Sequence, residues 1–463
     1  MKKILFIILS LTFLTACERK IDEFASNANG INFSKFVAVG NSMTAGFADA
    51  ALYRSGQQNS IPNIMATQFQ TVGGGEFRQP LIGTEDGVGV NVIPGGVYCT
   101  SKLALKIIPD VDCQGTPLGT SSLKPSFVLT NPDQNMLKQQ LLAAPSVPGP
   151  YNNMGISGLT LLAAFMPGYA AYNPYYGRFA STASSSVIGE AAAQQPTFFM
   201  LWLGDNDALS SALNGTDIQI TPADTFAKYY PMAVVALQQS GNNPKGVIAT
   251  IPDITSLPFF TTISKQLPYN GVTLNAEQAS GLNILYTMYG HSDIVWHEGQ
   301  NPFVYVKSNG KWAQMQDGDL FLLTVPTDSI KCKGMGIADQ SAQPFPKPYP
   351  IPGKFILDKT EQTNIQTAIA QYNFIIKGVA TSQNLALADM NAYLKTLSSG
   401  LIFDGIKFST TFVTGGLFST DGVHLNPRGN AIAANYFIQA INSHYGCQIP
   451  QANITEYKGL VFP

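Results

Sequence analysis

The chain has 463 residues, 12% of them charged and 45% hydrophobic, with a formal net charge of −2. That length exceeds one minimal domain and suffices for a large core. So little charge excludes the basic or acidic faces that bind nucleic acid or anionic surfaces.

The first element is an export signal. Lys2 and Lys3 precede an apolar run from Ile4 to Leu14, too short to span a bilayer as a permanent helix. The run ends in Leu14-Thr15-Ala16-Cys17, which resembles a bacterial lipobox. The resemblance implies that residues 1–16 are a signal peptide and that Cys17 is lipidated. It also implies an exported envelope lipoprotein, expected on the outer membrane facing the periplasm or the surface. Residues 17–30 then read as a lipidated tether. No later segment reaches the ~18 uninterrupted apolar residues of a membrane span, so the body is expected to be soluble.

Phe36-Val37-Ala38-Val39 reads as a buried strand that delivers Ser42 to a strand-to-helix turn. Residues from about 72 to 150 break the pattern with Gly, Pro, Ser and Thr, and read as an insertion. Phe198 to Leu203 and Gly246 to Ile251 are two further strands. A second insertion, about 260–355, holds a hairpin in which Phe303–Lys307 returns through Ser308-Asn309-Gly310 into Lys311–Ala313. A Pro-rich loop follows, Pro344 to Pro352. A helix from about Lys359 to Ala380 leads into a strand at Asn384–Met390, and a last helix spans about Pro427 to Tyr445. Strands alternating with helices predict an α/β domain over residues 31–447, its parallel sheet covered on both faces. Residues 448–463 are left as a tail. In such sheets ligands bind beyond the carboxyl ends of the strands, where Ser42, Asn206, Asp421 and His424 all fall.

Four cysteines follow Cys17: Cys99, Cys113, Cys332 and Cys447. An even number in an oxidising compartment permits two disulfides, and nearness in sequence favours Cys99–Cys113. Their spacing matches no zinc site.

Histidine is scarce, four in the whole chain, and only one has an Asp three residues earlier, in Asp421-Gly422-Val423-His424. With Ser42, this supplies the hydroxyl, imidazole and carboxylate of a serine hydrolase. Each motif also has a plainer reading by itself. Gly40-Asn41-Ser42 serves as a turn or helix cap, and Asn153 to Thr160 as a loop. Leu203-Gly204-Asp205-Asn206-Asp207 serves as a polar turn, and His424 as a surface histidine beside a capping Asp.

Taken together and in order, the four motifs resemble the sequence blocks of the GDSL, or SGNH, hydrolase family. The resemblance implies a three-layer α/β/α, flavodoxin-like fold with two large insertions. It implies Ser42 as nucleophile, His424 as general base and acid, and Asp421 as its carboxylate partner. The oxyanion donors implied are the Ser42 N–H, the Gly158 N–H and the Asn206 side chain. Asn41 departs from the Asp usual in the first block. No metal or organic cofactor is implied, and the partners are an ester substrate and, through Cys17, a membrane.

Three activities fit these residues. One is an esterase or lipase for fatty-acyl esters, with Leu257, Phe259 and Phe260 forming an acyl groove. The second is a carbohydrate O-acetylesterase, and the third a non-catalytic binding lipoprotein on the same fold. Tyr172, Tyr175 and Tyr176 read as packing or as the lining of a sugar or acyl site. His291, His297 and His444 read as structural.

Overall fold

The computed structural model describes residues 25–93, 96–241, 243–403 and 405–463. The expected signal peptide and Cys17 therefore lie outside the described residues.

Five strands form the main sheet: β1 (Phe36–Gly40), β2 (Asn153–Gly155), β3 (Phe198–Trp202), β4 (Lys245–Ala249) and β5 (Ala386–Ala388). All neighbours pair in parallel, in the order β2-β1-β3-β4-β5. This is the flavodoxin-like order, whose strand sequence reverses between β1 and β3 and opens a crevice there at the carboxyl ends. β1 and β3 are buried along their whole length, as their unbroken apolar runs require when both faces are covered. The sequence pattern anticipates every strand but β2, which is only Asn-Met-Gly and has no apolar run to mark it.

Six helices position the site: α1 (Ser42–Ala45), α2 (Ile61–Phe69), α3 (Asn206–Ala212), α4 (Ala223–Gln238), α5 (Lys359–Ser382) and α6 (Pro427–Tyr445). The start of α5 is set by a capping box between Asp358 and Glu361. α6 begins at Asn426-Pro427, where the Asn426 side chain accepts the Gly429 N–H, and ends at the left-handed Gly446. On one face of the sheet, Phe198 packs on Phe69 and Tyr445, and Trp202 on Phe437. The other face is covered by α4 and α5, where Phe226 stacks on Tyr372 at 4.2 Å. The expected three layers are therefore present.

The two inserted regions fold differently. The first contains two hairpins, Gly89–Ile93 with Gly96–Thr100 and Leu103–Val111 with Pro117–Phe127, and a helix at Gln134–Leu142. Its buried residues, among them Val88, Cys99, Leu137 and Leu141, join the main core. The second has a core of its own between Ile263 and Ile356, centred on Tyr286, Trp296, Phe303 and Phe321. Its hairpin pairs Val304–Val306 with Trp312–Gln314, as the sequence predicts. His291 stacks on Trp312 in this region at 3.6 Å.

The disulfide pattern corrects the expectation. Cys113 bonds Cys332 across 219 residues of sequence, while Cys99 and Cys447 are buried free thiols. Cys99 sits on a strand that turns it into the core, and Gln134 brackets its backbone N–H and C=O. Cys113 lies in the turn at the far end of the 103–127 hairpin. Nearness in sequence is no guide once the hairpin carries one of the two cysteines away.

Past α6 the chain stays packed: Gln448 pairs with Asn27, and Ile449, Ala452 and Ile454 are buried in the main core.

Candidate active site

Ser42 is the first residue of α1, directly after β1. Asn41 caps this helix by accepting the Met43 N–H, and the Ser42 N–H has no partner within the helix. Two glycines let α1 sit tight on the strand ends. A Cβ on Gly155 would lie 2.3 Å from the Ala45 nitrogen, and one on Gly40 would lie 2.5 Å from the Trp202 carbonyl oxygen. The loop after β2 follows β1 through the bond from Ile156 N–H to Gly40 C=O.

The sequence-predicted triad comes together. Ser42 Oγ lies 2.8 Å from His424 Nε2, and His424 Nδ1 lies 2.9 Å from Asp421 Oδ2. An ionised carboxylate only accepts, so Nδ1 carries the proton and Nε2 is left to accept from the serine hydroxyl. The Asp421 carboxylate is saturated. Oδ1 takes the backbone N–H groups of Val423 and His424, and Oδ2 takes that of Ala50 as well as the imidazole. Burial works against ionisation of Asp421, but the His424 charge and these donors outweigh it and hold the carboxyl down at about 2.

Asp49 and Ala50 complete this support, and no sequence motif announces them. Both adopt left-handed backbone, φ 53° and 60°, a conformation that costs an alanine about 1 kcal/mol or more. The turn aims the Ala50 N–H at Asp421. It also places Asp49 to accept from the Thr420 N–H and hydroxyl and from the Tyr53 hydroxyl. Phe47 covers the imidazole, with ring centroids 4.9 Å apart. Tyr175 packs edge-on against Phe47 and donates its hydroxyl to the Val88 carbonyl. Tyr175 and Tyr176 are buried packing residues, and Tyr172 is exposed to solvent.

The other two predicted positions sit in loops laced to each other. Asn206 opens α3 and donates one side-chain N–H to the Leu159 carbonyl at 3.0 Å, which leaves its second N–H. Asp207 accepts the Leu161 N–H and the Thr221 hydroxyl. Gly158 lies between β2 and Thr160 with φ +80°. A Cβ there would meet only the Asn173 amide, at 3.9 Å. Its glycine is required by the left-handed turn.

The Asn41 departure has a partner. Its side-chain amide donates to Asp205 Oδ2 at 2.7 Å, fully buried, and so bolts the nucleophile loop to the Asn206 loop. Burial pushes the Asp205 carboxyl up to about 7, with the Asn41 hydrogen bond pulling the other way and the nearby Asp207 adding to the rise. A carboxylate at position 41 would face a second one here, and an amide removes that repulsion.

A cavity of about 570 Å³ opens against His424 and Asp421. Core residues Phe47, Leu213 and Val423 form part of its wall. The first inserted region adds Val90, Leu103, Pro125 and Phe127, and the second adds Phe259 and Leu323. Among the described residues, Asp421 is its one charged lining residue. Of the three residues expected to form an apolar groove, only Phe259 reaches the cavity; Leu257 and Phe260 are buried in the main core. Phe259 is fixed there by hydrogen bonds from its N–H to the Gly422 carbonyl and from the Leu323 N–H to its own carbonyl. The second inserted region thus leans directly on the loop that carries Asp421 and His424.

The chain was compared with known proteins over its length. The family model described as GDSL-like Lipase/Acylhydrolase matches residues 36–437. Among solved structures, a candidate GDSL-like lipase from Parabacteroides merdae is similar at 10% identity and TM-score 0.33, covering 89% of this chain and 98% of its own. An α/β hydrolase enzyme, LAE5, from the metagenome of Lake Arreo in Spain is similar at 11% identity and TM-score 0.26, with 63% and 72% covered. No curated protein matches the chain.

Proposed function

Since the chain belongs to the GDSL-like lipase/acylhydrolase family, hydrolases acting on ester bonds, we propose that it cleaves carboxylic esters with Ser42 as nucleophile. The observation that carries this reading is the unbroken relay from Ser42 through His424 to Asp421, at 2.8 and 2.9 Å. His424 takes the serine proton as Oγ attacks the carbonyl carbon, and Asp421 holds the tautomer and offsets the charge on the imidazolium. The Ser42 N–H, the Gly158 N–H and the free Asn206 N–H receive the oxyanion. His424 returns the proton to the leaving alcohol. Water then attacks the acyl-serine with His424 again as base, releasing the acid and restoring the hydroxyl.

The lining of the cavity supports an acyl group as the part of the substrate it holds, since a mostly apolar wall, with Asn91, Thr100, Thr324 and Thr420 its neutral polar members, offers a sugar few partners for its hydroxyls. Hydrolysis of p-nitrophenyl esters from acetate to palmitate, beside Ser42→Ala, tests the mechanism. Turnover that survives in Ser42→Ala, or no turnover on any ester together with no labelling of Ser42 by an organophosphonate, overturns it.

We also read the chain as an exported lipoprotein held to a membrane through Cys17, on the strength of Leu14-Thr15-Ala16-Cys17. Metabolic labelling with palmitate should mark the wild type and not Cys17→Ser; equal labelling of both would end this reading.

A further inference from the structure

The hairpin Leu103–Val111 with Pro117–Phe127 reaches past the cavity, and its two faces differ in character. Residues opposite one another in an antiparallel pair share a face, and alternate rungs share that face again. The rungs Leu103 with Phe127 and Leu105 with Pro125 therefore lie on one side, and Leu103, Phe127 and Pro125 all line the cavity. The next rung outward on that side is Ile107 with Leu123. Ile107 is 62% exposed, Leu123 37% and Phe127 43%. The opposite side carries Lys106 with Lys124, Ile108 with Ser122, and the Asp110–Thr120 hydrogen bond.

We propose that this arm is the outer half of the acyl site and that the substrates are long-chain esters. The acyl chain fills the cavity and continues onto the Ile107–Leu123 rung. The proposal rests on the ester-hydrolase reading above and names the substrate class for the same site.

Three observations converge on it. The apolar rung is continuous with residues that already line the cavity. It is open to water, where its apolar area gains nothing until covered. The far end of the arm is also tied down: Cys113, in its turn, is bonded to Cys332 in the helix Thr327–Lys333. That helix follows Leu323 and Thr324, which line the cavity. An isolated two-stranded hairpin is marginal in water. Anchored at both ends to the walls of one cavity, this one is held as a fixed surface. A short acyl group ends inside the cavity and never meets it.

The test measures kcat/KM of the intact protein on p-nitrophenyl acetate, octanoate and palmitate. The readout is the palmitate-to-acetate ratio. Burial of a methylene is worth about fourfold in binding, so Ile107→Ser with Leu123→Ser should lower the ratio roughly tenfold or more. Cys113→Ser with Cys332→Ser, or reduction of the wild type, should lower it in the same direction. Lys124→Ser, on the other side of the arm, should leave it at the wild-type value. A ratio unmoved by the Ile107 and Leu123 changes, or lowered equally by Lys124→Ser, overturns the proposal while the ester-hydrolase reading stands. Absence of turnover on every ester defeats that reading as well.

Discussion

The floor and the wall of the cavity are built on opposite principles. The floor, the candidate site itself, is made of loops at the carboxyl ends of β1, β2 and β3 together with the Asp421–His424 loop; of these, the loop after β1 and the Asp421–His424 loop line the cavity. It is held by short polar contacts: Asn41 to Asp205, Asn206 to Leu159, Asp207 to Leu161, and four donors on Asp421. The wall comes largely from the two inserted regions and is mostly apolar, with Asn91, Thr100 and Thr324 its polar members, and its outermost part is secured by one covalent bond. Directional contacts fix atoms to within tenths of an ångström, which proton transfer demands. Apolar area is tolerant of position but scales with size, which suits selection by chain length. The two regions should therefore fail differently: damage to the floor hits every ester alike, and damage to the wall hits in proportion to acyl length.

The largest effect should come from the floor. Ser42→Ala and His424→Ala should each lower kcat by roughly 10⁶-fold, and the double variant hardly further, because the groups act as a unit. Steady-state rates on acetate and octanoate esters would show this, and a loss confined to one chain length would break the comparison. Asn206→Ala should cost about 10²–10³ in kcat, again equally across chain lengths. The same assays measure it.

The Asn41–Asp205 pair gives a stability test of the floor. Asn41→Asp removes a donor and sets two buried carboxyls face to face, which should cost about 2 kcal/mol. The reciprocal exchange, Asn41→Asp with Asp205→Asn, should recover much of it. Urea unfolding of the four proteins in this cycle measures the coupling, and additive losses would deny it. The pair also predicts a pH response. Asp205 binds its proton up to about 7 in the folded chain, well above its ordinary value, so its contribution is most favourable at low pH and is lost as pH rises through that value. Asp207, raised by burial to about 6, and Glu361, raised by burial to about 7, act in the same direction. Asp421 acts oppositely, losing its contribution as pH falls toward 2. Asp205→Asn should therefore flatten, without abolishing, the fall in Tm between pH ~4 and ~7. An unchanged slope would remove Asp205 from the account.

The smallest effect belongs to the wall. Leu323→Ala should lower kcat/KM for octanoate by roughly tenfold, from about 0.8 kcal/mol for each methylene of the acyl chain left uncovered, and for acetate by much less. Equal losses on both esters would mean that the wall also positions the floor.

What the sequence made legible follows the same division. The apolar runs of β1, β3, β4 and β5 are visible because strands buried on both faces allow no polar interruption. The blocks around Ser42, Asn206, Asp421 and His424 are visible because their chemistry needs particular side chains at short spacing. β2 escaped because three residues cannot carry a period. The left-handed Asp49-Ala50 turn escaped because an alanine carries no mark of positive φ, and its strain is sustained by hydrogen bonds to residues distant in sequence. The Cys113–Cys332 bond escaped because it depends on how far a hairpin reaches.

α6 ties the His424 loop to the residues that open the described chain. It begins three residues after His424 and runs 19 residues, about 28 Å. At its far end Asn29 donates to the Tyr445 carbonyl, the Cys447 thiol to that of Ala28, and Asn27 pairs with Gln448. The helix is thus a strut with His424 near one pole and Asn27–Asn29 at the other. Any load applied through the first residues is taken up at the base of this strut. On the lipoprotein reading proposed above, an anchor at Cys17 would act on the end of this strut opposite His424.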